Sequence, residues 1–143
     1  MSVRDDLVTF VTGHLRSSLG ISADSVFETV TAAVQHDDLP ALCVDWETDD
    51  VVIESRDAED EGEEVQIRTL SIQAMVLAES RSAVDALALA AEKAIATSSI
   101  GTERTLAGSA HAVEHDGRKA IHGVLLTWAI EYHVTARAPD VEI

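Results

Sequence analysis

Residues 111–115 read HAVEH, which fits the H-x-x-E-H spacing of one class of zinc peptidases. That chemistry needs a helix, where His111 and His115 converge on a metal ion, Glu114 stands beside them as base and a distant third ligand completes the site. Asp116 and Gly117 follow at once, and Asp-Gly is a pair that two-residue hairpin turns favour. On a strand, Glu114 points away from the face shared by His111 and His115. A zinc site built from His111, His115 and His122 on one strand face is the metal reading that survives. Exposed cross-strand polar pairing is the simpler account of the same residues.

The second cluster is acidic. Asp57, Glu59, Asp60, Glu61, Glu63 and Glu64 crowd the stretch RDAEDEGEE, with Gly62 supplying backbone freedom. An EF-hand loop would need alternating ligands, a central Gly, a closing Glu and flanking helices, and neither the spacing nor the flanks agree. The cluster reads as the solvated tip of a hairpin, or as a contact or lumen-facing surface in an assembly. No serine sits on a sharp Gly-flanked turn, and the seven glycines form no phosphate loop. The lone Cys43 excludes an internal disulfide and gives no basis for a cysteine metal site. The residues therefore point to a protein that is not an enzyme and uses no cofactor.

The bulk numbers agree with a folded, acidic subunit. A chain of 143 residues fits one domain with its own core. With 46% apolar residues it folds despite a net charge of −16, made by 26 acids against 10 bases. Such a surface repels nucleic acid and anionic membrane alike. Only Lys93 and Lys119 are lysines, a balance typical of proteins from high-salt cytoplasm, so a halophilic host is expected. The opening MSVRDDLVTF has acids where a secretory signal carries bases, and no stretch is long enough to span a bilayer.

The elements that would position these residues can be read from periodicity. Ser2 is placed to cap a helix with Asp5 three residues on, and Val3, Leu7, Phe10, Val11 and Leu15 recur at helical spacing up to Gly20. His14 falls on that apolar side as a hydrogen-bonded histidine. A strand is expected near 26–31. After Pro40, Leu42, Val44 and Trp46 point one way, and Cys43, Asp45 and Glu47 point to the more polar face. This strand and the next, EEVQIRTLSIQAMVLAES, flank the acidic tip as a hairpin. Val65 and Ile67 are out of phase with Leu70, Ile72, Ala74 and Val76, which predicts either a β-bulge near Arg68 or a strand buried differently along its length.

Ser82 and Asp85 then predict a second helix with the stripe Val84, Leu87, Ala88, Ala91 and Ile95. Leu89 lies on the opposite side, near Asp85 and Lys93, where another subunit could cover it. A closing hairpin about Asp116-Gly117 would set His115 opposite Arg118, Glu114 opposite Lys119 and His111 opposite His122. Its second strand alternates over Val124, Leu126, Trp128, Ile130, Tyr132 and Val134. The expected fold is α+β, a mainly antiparallel mixed sheet of about four to six strands with two principal helices packed on it. Residues 1–135 form the single domain, and 136–143 form a tail that is frayed or docks on a neighbour.

In this order LPALCVDW, a variable acidic loop, VQIRTLSIQAMVLAES, SAVDALALAAEKAI and GVLLTWAIEYHV resemble the tail terminator family of long-tailed phages, from the first helix to Val134. The resemblance implies a structural virion protein made in the host cytoplasm and placed at the tail neck. It would assemble as a hexameric ring that caps the tail tube, stops its polymerisation and meets the head-completion or connector protein. DNA would pass through the lumen without specific binding, and no membrane, cofactor or active site is involved. Candidate assembly or lumen residues are Asp57, Glu59, Asp60, Glu61, Glu63, Glu64, Leu89 and Lys93. Another neck component, such as a tail-completion or head–tail joining protein, is the alternative, with a metal-dependent enzyme behind it.

Overall fold

Ser2 does cap the first helix: its Oγ accepts from the Asp5 N–H at 3.2 Å. Helix α1 runs Val3–Leu19 and stops where Gly20 turns left-handed at φ 66, its N–H donating to Arg16 O. The structure is a computed structural model and describes residues 2–22, 25–27, 38–57, 63–117, 119–136 and 138–143. Val3, Leu7, Val8, Val11, Thr12 and Leu15 make the buried side of α1. Phe10, expected in that stripe, is instead 44% exposed. The buried arc is centred between Leu7 and Leu15, so Val8 falls inside it and Phe10 lies at its margin, stacked on the His14 ring with centroids 5.8 Å apart.

Five strands among the described residues form one sheet: β1 (Val26–Phe27), β2 (Ala41–Asp57), β3 (Glu63–Ala78), β4 (Glu103–Asp116) and β5 (Lys119–Thr135). Helix α2 (Arg81–Ala96) lies between β3 and β4 in the chain. The spatial order is β1-β2-β3-β5-β4. β1 runs parallel to β2 through Val26↔Leu42 and Phe27↔Cys43, and every other pair is antiparallel. The fold is therefore α+β, a mixed and mostly antiparallel sheet with two packed helices. Residues 28–31 of the expected early strand lie outside the described residues.

Alternation along the strands decides which face is buried. Cross-strand rows such as Val44, Ala74 and Leu126, or Trp46, Ile72 and Trp128, face α1 and α2. Leu42, Leu70, Ile130, Tyr132 and Val134 extend this core, and Val11, Leu15, Val84 and Ile95 close it from the helices. The sheet is much longer than its helical cover. Seventeen residues of α1 span roughly 25 Å at 1.5 Å each, while seventeen residues of β2 span roughly 55 Å at 3.3 Å each.

Several details differ from the sequence expectations. The cap of α2 is Ser80, whose Oγ accepts from Ala83 N–H at 3.2 Å, and not Ser82. The helix starts immediately after β3 ends at Ala78, so the first serine beyond the strand takes the cap and Ser82 falls in the first turn. The closing hairpin is shifted in register: Asp116 pairs Lys119, His115 pairs Ala120 and Glu114 pairs Ile121. Gly117, at φ 63, begins the connection, and Asp116 ends the strand. No bulge occurs in β3 near Arg68, where pairing with β5 is continuous from Val65↔Thr135 to Ala78↔His122. The second alternative holds, and the irregularities belong to β2, between Trp46 and Thr48 and between Ile53 and Ser55, and to β4, between Leu106 and Gly108. Cys43 is on the helix-free face as its phase requires, yet it is buried, beside its cross-strand neighbour Met75.

Candidate functional site

The acidic hairpin exists as an arm. β2 and β3 pair out to Arg56↔Glu64 and Asp57↔Glu63, so Asp57, Glu63 and Glu64 stand at its far end. Glu59, Asp60 and Glu61 lie outside the described residues. Leu89, 50% exposed, and Lys93 sit four residues apart on the outer side of α2. They belong to the helical layer, whereas the acids belong to the sheet.

At the root of that arm the structure builds a polar cluster on the otherwise apolar core face. Asp49 lies in the row Asp49, Leu70 and Ile130, and its side chain is only 4% exposed. Its Oδ2 accepts from Tyr132 OH at 2.7 Å and from Arg68 Nη1 at 3.1 Å. The Arg68 guanidinium is held in turn by Gln66 Oε1, which accepts from its Nε and Nη2 at 3.2 and 3.0 Å. Arg4, in the first turn of α1, stacks over Trp46 at 4.9 Å and brings Nη1 to 3.8 Å from Asp49 Oδ2. Burial, with the hydrogen bond to Asp49 second, pushes the Tyr132 phenol up to about 12.

A cleft of about 200 Å³ opens beside this cluster, lined by Ser2, Val3, Arg4, Arg68, Tyr132, Pro139 and Asp140. The cluster pairs a charge with its counter-charge and a phenol, and it lacks a nucleophile with an adjacent base. It works as a strut that ties the start of α1 to β2, β3 and β5. Sequence reasoning missed it, although its signal was present: the phase change at Arg68 is the place where a cation turns toward the core.

His14 is a structural residue, its Nε2–H donating to Ala94 O at 2.9 Å and joining α1 to α2. His111 and His122 are diagonal neighbours and not a direct pair, with ring nitrogens 3.4 Å apart and centroids 5.6 Å apart. His115 shares their face by alternation. Among the described residues no group of three His, Cys, Asp or Glu side chains is arranged to hold a metal ion. Glu114 points to the other face of β4, against the peptidase geometry.

The helix-free face of the sheet carries a second acidic feature that the sequence did not disclose. Asp50, Thr69, Glu131 and Glu103 make one cross-strand row, so Glu131 stands directly opposite Glu103. His133 Nε2 is 3.2 Å from Glu131 Oε1 on the same face. Asp45 and Glu47 lie further along, where Gln73 Nε2 donates to Glu47 Oε2 at 2.8 Å.

Among the described residues no strand pairs the outer edge of β4, and β2 has β1 beside it at one end. From Thr105 to His115 every residue of β4 is exposed, and the helices leave it uncovered. Among the described residues β1 pairs β2 at Leu42 and Cys43, and Val51, Val52 and Ile53 are 47%, 63% and 47% exposed. The edge of β5 beyond β4 is closed differently: Thr102 N–H donates to Glu131 O at 2.8 Å and Ile143 N–H to His133 O at 2.9 Å, so the tail folds back along the strand.

No protein-family model matches the chain, and no curated protein matches it. Among solved structures it is similar to a chain of the virion of a native gene transfer agent (GTA) particle, at 17% identity and a TM-score of 0.40 over 84% of each chain.

Proposed function

We propose that this chain is a structural subunit of a virus tail, a ring-forming tail terminator that caps the tail tube, stops its polymerisation and joins the tail to the head connector. The observation that carries the reading is the order and geometry of the elements. A capped helix, a long hairpin with an acid-rich end, a second helix entered straight from the strand and a closing hairpin follow one another as the sequence resemblance implies. The exposed edge strand β4 and the outward Leu89 suit a subunit that is completed by neighbours. The protein acts by occupying a surface and not by turning over a substrate.

In this reading six copies form the ring, with the tube protein on one side and the head-completion or connector protein on the other. The acids of the arm, Asp57 to Glu64, line the path of the DNA. There they repel its phosphates so that the duplex slides through without sticking. Repulsion among subunits carrying −16 each is screened in a halophilic host, which makes salt the assembly switch.

Light scattering of the purified protein in low and multimolar KCl, with and without tail tube protein, tests this. Hexamers that block tube elongation are expected, at high salt or on the tube. A protein that stays monomeric in every condition and leaves tube elongation unaffected overturns the reading in favour of another neck component.

A further inference from the structure

We infer that β4 of one copy pairs edge to edge with the outer edge of β2, from Asp45 to Ile53, in a second copy of the same chain. The inference rests on the homo-oligomer reading above and specifies how the copies meet. A strand edge presents unpaired N–H and C=O groups, and soluble proteins protect long edges with charge, proline or cover. Along Arg104–Val113 the guards of β4 are Arg104 at one end and a register shift between Leu106 and Gly108, and Ser109–Val113 has no acid, lysine, arginine or proline. The whole stretch, RTLAGSAHAV, is without an acid or a proline in a chain that holds 26 acids, and Thr105–Val113 is exposed throughout. Leu106 and Val113 are 40% and 44% exposed there, and the intervening Ala107, Gly108, Ser109, Ala110 and Ala112 are small enough to let another backbone approach.

The choice of partner follows from charge and direction. Residues Asp45–Ile53 of β2 carry the exposed Asp45, Glu47 and Asp50 with no base, whereas Arg104–Val113 carries Arg104 and His111 with no acid. Pairing β2 with β2 would set acid against acid, and pairing β4 with β4 near its centre would bring Glu103 toward Asp116 at both ends. Pairing β4 with β2 avoids both conflicts. It also places the exposed Val51, Val52 and Ile53 against the apolar part of β4. β2 and β4 run in opposite directions within the subunit, since three antiparallel pairings separate them. Rotation about an axis along the strands therefore sets β4 antiparallel to the next β2 and continues the alternation of the sheet. Because the two patches differ, the contact is heterologous, and repeated it closes a ring or extends a filament.

Two surface variants test it: Ala110→Asp with Ala112→Asp on β4, and Val52→Asp with Ile53→Asp on β2. Both alter exposed positions, and circular dichroism and thermal melting establish that each still folds. In multimolar KCl, analytical ultracentrifugation should show each variant alone as a monomer where the unaltered protein assembles. Mixed one to one, they should give dimers and nothing larger, because one intact β4 meets one intact β2. Dimers formed by the β2 variant alone would replace the inference with β4-to-β4 pairing. Rings formed by both variants would overturn the edge contact and leave the terminator reading standing. An unaltered protein that never self-associates, even on the tube, would remove the terminator reading and the inference together.

Discussion

Tyr132 OH and the Arg68 guanidinium converge on one oxygen of Asp49, and this small network shows what single residues contribute. The phenol keeps its proton in the fold up to about pH 12, whereas an unfolded tyrosine releases it near pH 10. Its contribution to stability is therefore complete below about pH 10 and is lost as pH rises toward 12. Tyr132→Phe should lower stability by about 1–3 kcal/mol at neutral pH, since a buried carboxylate loses a donor. It should also flatten the alkaline decline, which urea unfolding at pH 8 to 12 would measure; an unchanged alkaline slope would show that Tyr132 is not its source. At this scale the sequence was partly legible. His14 was readable as a hydrogen-bonded histidine, because a ring on the apolar side of a helix must find an acceptor. Asp49 was not, because its turn toward the core depends on the bulge between Trp46 and Thr48. A single inserted residue reverses the side on which every later residue falls.

Among the elements, the strands and helices were legible where periodicity was long, as in β5 from Val124 to Val134 and in the stripe of α2. Boundaries were not, because Ser80 and Ser82 both satisfy the local chemistry of a cap and only the end of β3 decides between them. The same holds at Asp116-Gly117, where one residue of shift changes every cross-strand partner. Two glycines separate local from tertiary effects. Gly20 and Gly101 both have positive φ, but a Cβ at Gly20 meets open space. At Gly101 it would collide with the backbone oxygen of Glu131 and lie 2.8 Å from Ile130 Cγ2. Gly20→Ala should cost about 1 kcal/mol from backbone conformation alone, and Gly101→Ala about 1–3 kcal/mol more from overpacking. Equal melting temperatures for the two variants would show that the loop at Gly101 yields freely. The opposed Glu103 and Glu131 make a prediction of the other sign. Glu103→Gln should stabilise the protein by roughly 0.2–1 kcal/mol in dilute buffer, by removing like charges that face each other. The gain should vanish near 1 M salt, where the screening length falls to about 3 Å. A gain independent of salt would assign it to packing.

For the whole molecule, a charge of −16 on 143 residues means that folding gathers mutually repelling groups. The urea midpoint should therefore rise between 0.1 and 2 M KCl, and a midpoint indifferent to salt would remove the case for a high-salt host. This property was legible from composition alone, since it depends on the number of charges and hardly on their positions. The acidic surface was legible only in part. The cluster from Asp57 to Glu64 is contiguous in sequence, but the row of Asp50, Glu131 and Glu103 is assembled from three strands and appears only once the register is known. The shortness of the helices against the sheet has a mechanical meaning. Near the core the sheet and helices form a double-layered beam, while the hairpin arm beyond the Asp49 cluster extends past the helical cover. A load applied at the tip of such a cantilever is felt as torque at its root, where the Arg4–Asp49–Arg68 strut stands. The fold is thus a lever with a reinforced fulcrum, in which force on the distant end of the sheet is met where α1 is tied to β2, β3 and β5.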